Sequence, residues 1–181
     1  MKNKLLAIIL IYISSSVNAQ SMQIISSDFK AYGTLKDEQR SNMPGCNGKN
    51  ISPQLSWNYI PNSAKSLAIT AYDPDAPTGS GLWHWIVYDI NISTMSLSKG
   101  ASNTLNMPKG SVEINNSYGI KGYIGACPPS GAGKHRYIFT LYALDVEKLP
   151  VTLGSTSAVT RINIIKHTVA KTTITAYAQT K

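Results

Sequence analysis

Two short stretches of the chain, DPDAPTGSGLWHW (residues 73–85) and GACPPSGAGKHRY (residues 125–137), hold two aspartates, two of the three histidines, one of the two cysteines and four of the nine prolines. Proline and glycine fix the backbone, while aspartate and histidine supply acceptors and switchable donors. Brought together, such residues can build a small polar pocket that orients a charged ligand or moves a proton. In the first stretch Asp73 and Asp75 flank Pro74, and Pro77 follows, so a strand ends there and its alternation breaks. Both carboxylates can then face one cavity. The other reading is that Asp73 caps the turn through its own downstream amides and Asp75 is solvated. His84 stands between Trp83 and Trp85, one short TGSG turn beyond the aspartates. If the flanking strands pair, an aspartate comes beside the imidazole, which selects its tautomer and favours its charged form.

In the second stretch, small residues leave backbone N–H groups open, and such concavities bind anions. His135 follows at once, between Lys134 and Arg136. The segment is not a nucleotide P-loop: His135 stands where Ser or Thr must follow Gly-Lys, and Pro128 stands where the first glycine belongs. A tight, rigid turn is the alternative. The chain has no GxSxG elbow, no HExxH helix and no CxxC pair, which removes the common signatures of serine hydrolases and zinc sites.

These residues need elements to hold them. Segments 66–73 (SLAITAYD), 82–90 (LWHWIVYDI) and 136–144 (RYIFTLYAL) are short, rich in aromatic and β-branched residues, and bounded by Pro/Gly turns, which predicts strands. Residues 22–26 and 172–177 follow the same pattern. Period-two alternation puts His84 on the face of Leu82, Ile86 and Tyr88, and His135 on the face of Tyr137, Phe139 and Leu141. One helix is predicted over 155–170, with Val159, Ile162, Ile165 and Val169 as its apolar stripe and Gly154-Ser155 at its start. His167 reads as a boundary residue. Several strands with a late helix predict a mainly β fold, an antiparallel β-sandwich with one or two peripheral helices. Loops 33–50 and 93–122 are long and polar.

The first residues are of another kind. Lys2 and Lys4 precede an apolar run from Leu5 to Ile13, then serines and the small-residue end Val17-Asn18-Ala19. That is the pattern of a secretory signal peptide over 1–19, cleaved after Ala19, and the run is too short to span a membrane. Residues 20–181 then form a single domain that is periplasmic or secreted. Without the leader the formal charge falls from +8 to +6, and the lysines are scattered. Nucleic-acid binding wants a basic stripe, so the charge reads as a solvated surface. In an oxidising compartment Cys46 and Cys127 invite one disulfide; the alternative is two buried thiols.

DPDAP, the WHW strand and GACPPSGAGKHRY, in that order and preceded by NISPQLSW (residues 50–57), resemble the phosphatidylethanolamine-binding protein family, in its bacterial Raf kinase inhibitor-like branch. The similarity runs from about Met22 to Tyr177. It implies a β-sandwich carrying a small pocket for phosphate-like anions and phospholipid head groups. Matched by motif position, the resemblance assigns that pocket to Asp73, Asp75, His84, Gly125, Pro128, His135 and Tyr137. It implies binding, no catalysis, and neither cofactor nor metal. Three departures stand out: the TGSGL turn is shorter than its eukaryotic counterpart, Trp83 replaces a second histidine, and Cys127 occupies a position that is frequently not cysteine. A bridge from Cys127 to Cys46 would tie the pocket loop to the NISP segment.

The expected function is therefore an exported, non-catalytic binding protein for a small phosphate-containing or zwitterionic ligand. An inhibitory or modulating action on a partner protein, and a homodimer, are compatible with it. Two nearby carboxylates repel a bare dianion, so they must pair with the imidazoles or meet a cationic part of the ligand. Anion affinity is expected to fall as pH rises through roughly 6 to 7, the ordinary imidazole range. Two other readings compete. One is a metal-dependent hydrolase with Asp73, Asp75, His84 and His135 as ligands; the other is a protein-interaction module whose pocket is vestigial.

Overall fold

Runs of β-branched and aromatic residues become strands in the computed structural model, which describes residues 20–152 and 154–180. The expected leader, 1–19, lies outside the described residues. β1 (Gln23–Ile25), β2 (Leu55–Asn58) and β5 (Ser96–Leu97) make a small antiparallel sheet in the order β1-β2-β5. β3 (Ser66–Asp73), β4 (Leu82–Asn91), β6 (Val112–Glu113), β7 (His135–Leu144) and β8 (Thr168–Ala178) make a larger one, antiparallel throughout, in the order β6-β4-β3-β7-β8. Ile24, Leu55 and Trp57 of the small sheet share one core with Ile69, Phe139 and Leu141 of the large one. The fold is thus the antiparallel sandwich that the strand pattern implies. Burying each of these large side chains contributes about 1.5–3 kcal/mol relative to exposure, enough to fix which face of each strand turns inward.

The other face of the large sheet has its own core. Ala68, Ile86, Tyr88 and Tyr142 pack there with Ile164 of the helix α1 (Ser157–Lys166). This helix corrects the sequence-based expectation in both extent and orientation. Thr156 is its N-cap, its side chain accepting from the amide of Val159, and His167 is already the C-cap. The chain then enters β8 at Thr168, where threonine, valine and isoleucine favour extended backbone over helix. Thr160 and Ile164, four residues apart, are the buried positions, whereas Val159, Ile162 and Ile165 are each about half exposed. Orientation follows from two contacts: Ile164 enters the core under the sheet, and the Arg161 guanidinium lies 3.9 Å above the Trp83 ring.

A second correction concerns β4. Opposite it, Ala71 pairs with Trp85 and Tyr72 with Trp83, so His84 is an extra residue with no partner across the ladder. This β-bulge resets the alternation. Ile86 and Tyr88 face the helix-side core, while His84 packs edge-on against Tyr137, a member of the intersheet core. His84 therefore does not share a face with Ile86 and Tyr88. His135 does share the intersheet face with Tyr137, Phe139 and Leu141.

Candidate functional site

β3 and β7 are neighbours, so the end of one lies beside the start of the other, and this brings Asp73 to His135. Nδ1 of His135 donates to Oδ2 of Asp73 at 2.9 Å, with both side chains almost fully buried. The other oxygen, Oδ1, accepts the amides of Asp75 (2.8 Å) and Ala76 (3.1 Å). Asp73 thus both caps the turn and pairs with an imidazole, one on each oxygen, but the imidazole is that of His135 across the β3–β7 pair and not that of His84 beyond the TGSG turn, whose Nδ1 meets the Ile124 carbonyl. The Pro74 and Pro77 rings stiffen the turn that follows.

His84 reaches the same place from the β4 bulge. Its Nδ1 lies 2.9 Å from the carbonyl oxygen of Ile124. A carbonyl only accepts, so Nδ1 carries the proton and, in the neutral ring, Nε2 carries a lone pair. Nε2 is buried and has no hydrogen-bond partner. Burial lowers the pKa of His84 from the ordinary imidazole value, against the opposing pull of the Ile124 carbonyl and Asp73. The pH window expected for its titration accordingly moves below that of an exposed histidine.

Asp73, His84, His135, Tyr137 and Pro128 line one cavity of about 340 Å³, together with Ser117, Tyr118 and Cys127. Tyr137 is held in its protonated form, first by burial and then by the charge and hydrogen bond of Asp73. Burial and Asp73 act in the same direction on Tyr118. Cys127 is bonded to Cys46, with Cα atoms 5.5 Å apart, so the disulfide fastens one wall of the cavity to the loop around residue 46.

Two of the residues assigned to the pocket by resemblance, Asp75 and Gly125, are not among those lining this cavity. Asp75 turns outward and takes a bidentate grip from Arg136, with Nη2–Oδ1 at 2.6 Å and Nε–Oδ2 at 2.9 Å; that hydrogen bonding holds its pKa down at about 2. It is not among the cavity-lining residues. Gly125 has a packing role: a Cβ there would overlap the Arg40–Ser41 backbone. Its amide donates to Oδ1 of Asn50 at 2.6 Å, and the amides on either side, Ile124 and Ala126, donate to the carbonyls of His84 and Gln39. The expected cradle of open loop amides is therefore not formed by these three. Nor do the four proposed metal ligands converge. Asp75 is paired outside the cavity, and among the described residues no group of three or more His, Cys, Asp or Glu side chains is placed to hold a metal ion. Ser117 and Tyr118 were missed because they sit in a long polar loop that carries no motif; their approach depends on Ser117 bridging to the β4 edge, where its Oγ accepts the Trp83 amide at 2.8 Å.

The sequence matches the family model described as phosphatidylethanolamine-binding protein across residues 25–179. The chain belongs to the phosphatidylethanolamine-binding protein family. Among its relatives is the UPF0098 protein YbhB of Escherichia coli, 42% identical over 156 residues that cover 86% of this chain and 98% of that protein. The UPF0098 protein YbcL of the same organism is 36% identical over 183 residues, covering all of both chains. The crystal structure of YbcL superposes with a TM-score of 0.86 at 37% identity, covering 90% of this chain and all of YbcL. CT736 of Chlamydia trachomatis, described as a phosphatidylethanolamine-binding protein homolog, gives a TM-score of 0.75 at 31% identity, over 89% of this chain and 99% of that one. The family's binding-protein fold is thus shared over nearly the whole described chain.

Proposed function

We propose that this family member is an exported, non-catalytic binding protein whose cavity takes the phosphate-bearing or zwitterionic head of a small molecule. The observation that carries the reading is the convergence of Asp73, His84, His135 and Tyr137, from three different strands, on one cavity closed by Pro128 and the disulfide-tethered Cys127. The carboxyl group of Asp73 in the wall suits a ligand that carries a cationic amine beside its anionic group. The hydroxyls of Ser117 and Tyr118 supply donors for oxyanion oxygens. Apolar walls from Pro77, Leu82 and Pro128 exclude water and strengthen those contacts. Titration calorimetry with phosphorylethanolamine tests this: equimolar binding that Asp73→Ala abolishes is expected, and absence of binding would end the reading.

Export is part of the same proposal. A leader over 1–19 and a disulfide belong together in an oxidising compartment. A second reading, contact with a protein partner, is favoured by the half-exposed Val159, Ile162 and Ile165 on the outer side of α1. A partner still captured by a His84→Ala/His135→Ala variant would support it.

A further inference from the structure

The cavity is richer in acceptors than its histidines suggest. The carbonyl of Ile124 obliges Nδ1 of His84 to donate, which leaves Nε2 as a buried acceptor without a partner. Nδ1 is taken up by the Ile124 carbonyl and His84 is among the residues lining the cavity, so Nε2 is the ring nitrogen left for a ligand. Around the imidazole stand Asp73 from β3, His135 and Tyr137 from β7, and Tyr118 from the adjoining loop. Asp73 is a second, anionic acceptor, and the nearby amides of Ile124, Gly125 and Ala126 are already engaged. A ligand group entering here must therefore bring a proton to donate. An unprotonated oxyanion would leave Nε2 desolvated and unpaired beside a carboxylate.

Resting on the binding reading above, we infer that His84 selects a phosphate monoester over a phosphodiester or a sulfate ester, because only the monoester retains a P–OH able to donate to Nε2. The monoester's second ionisation lies near pH 6, so its singly protonated form is abundant at mildly acid pH. A diester and a sulfate ester have no such proton. The remaining phosphate oxygens accept from the hydroxyls of Tyr118 and Ser117, whose Oγ already accepts the Trp83 amide and so directs its own proton elsewhere. The ligand class is thus a free phosphorylated small molecule, in preference to the diester head group of an intact phospholipid.

Three probes carrying the same ammonium decide it: phosphorylethanolamine, glycerophosphorylethanolamine and O-sulfoethanolamine, titrated calorimetrically at about pH 6. The monoester is expected to bind about ten- to a hundredfold more tightly than the other two, the range that follows from leaving one buried acceptor unsatisfied. Equal or tighter binding of the diester or the sulfate ester overturns the inference while leaving the binding reading intact. Absence of binding by all three overturns both. In a His84→Phe variant shown folded by circular dichroism, the monoester's advantage is expected to shrink to under about threefold. If it persists, the selectivity does not come from Nε2. Should that variant not fold, the three-probe comparison on the unaltered protein still decides.

Discussion

Removing the disulfide tests how the cavity wall is held. The bridge spans a sequence separation of 81 residues, and loop-closure entropy for a span of that size gives about 4.5 kcal/mol of stabilisation. Native domains are stable by only about 5–15 kcal/mol, so this is a large part of the margin. At about 2–4 °C per kcal/mol for a chain of this size, a Cys46→Ala/Cys127→Ala variant should melt about 9–18 °C below the parent. Scanning calorimetry of the two proteins measures it. The same variant should bind phosphorylethanolamine more weakly, since the amide of Cys127 meets the Tyr137 hydroxyl and Cys127 lines the cavity. Two results would refute the reasoning: a melting temperature within about 3 °C of the parent, equivalent to roughly 1 kcal/mol, or two reactive thiols in the unfolded, unreduced parent.

The two aspartates should separate cleanly: Asp73→Ala is expected to cost about 3–5 kcal/mol by stranding buried His135, whereas Asp75→Ala should cost under about 1 kcal/mol and leave ligand affinity nearly unchanged, both read by urea titration and calorimetry. Stability should also fall with acid. The lowered pKa of His84 means that the unfolded chain binds the extra proton first, so its contribution is full above the unfolded value of about 6.5 and is lost as pH drops towards the folded value; urea midpoints between pH 7.5 and 5 measure the loss, and His84→Gln should flatten it. Asp75 adds a separate step at lower pH, its contribution disappearing as pH falls from the ordinary carboxylate range to about 2. Gly125→Ala should destabilise by about 1–3 kcal/mol through overlap with the Arg40–Ser41 backbone, seen as a lower melting temperature. Intact mass of protein recovered from the periplasm or culture medium is expected to show a chain beginning at Gln20.

Local patterns made the principal strands legible: β3, β4 and β7 have dense β-branched and aromatic runs with Pro/Gly ends, and their pairing follows from the sandwich they imply. Asp73 and His135 were legible for the same reason, each standing at the terminus of such a run. His84 was identified as a residue but misplaced in space, because period-two counting has no means of registering a bulge whose cause is pairing with β3. Strands β2, β5 and β6 run four residues or fewer and owe their form to the partners beside them. The helix stripe failed because apolar spacing alone does not say which side of a short helix meets the sheet; Ile164 and the Arg161–Trp83 stack settle that only once the chain has folded. Asp75 shows a different limit. Its neighbour in space, Arg136, is 61 positions away in sequence, and a carboxylate two residues from Asp73 gives no local sign that it will face the other way.

The bulge at His84 also parts the two indoles that flank it. In a regular strand Trp83 and Trp85 would lie on one side; here Trp83 stacks on Tyr72 beneath the Arg161 guanidinium, while Trp85 is wholly buried between the sheets and donates to Glu113 at 2.6 Å. Of the chain's three tryptophans, these two therefore sit one in each layer, with Trp57 in the intersheet core together with Trp85. With Trp57 and the other of these two indoles replaced by phenylalanine, each emission spectrum reports separately on detachment of the helix and on parting of the sandwich, so a single denaturation series can resolve the order in which the layers come apart.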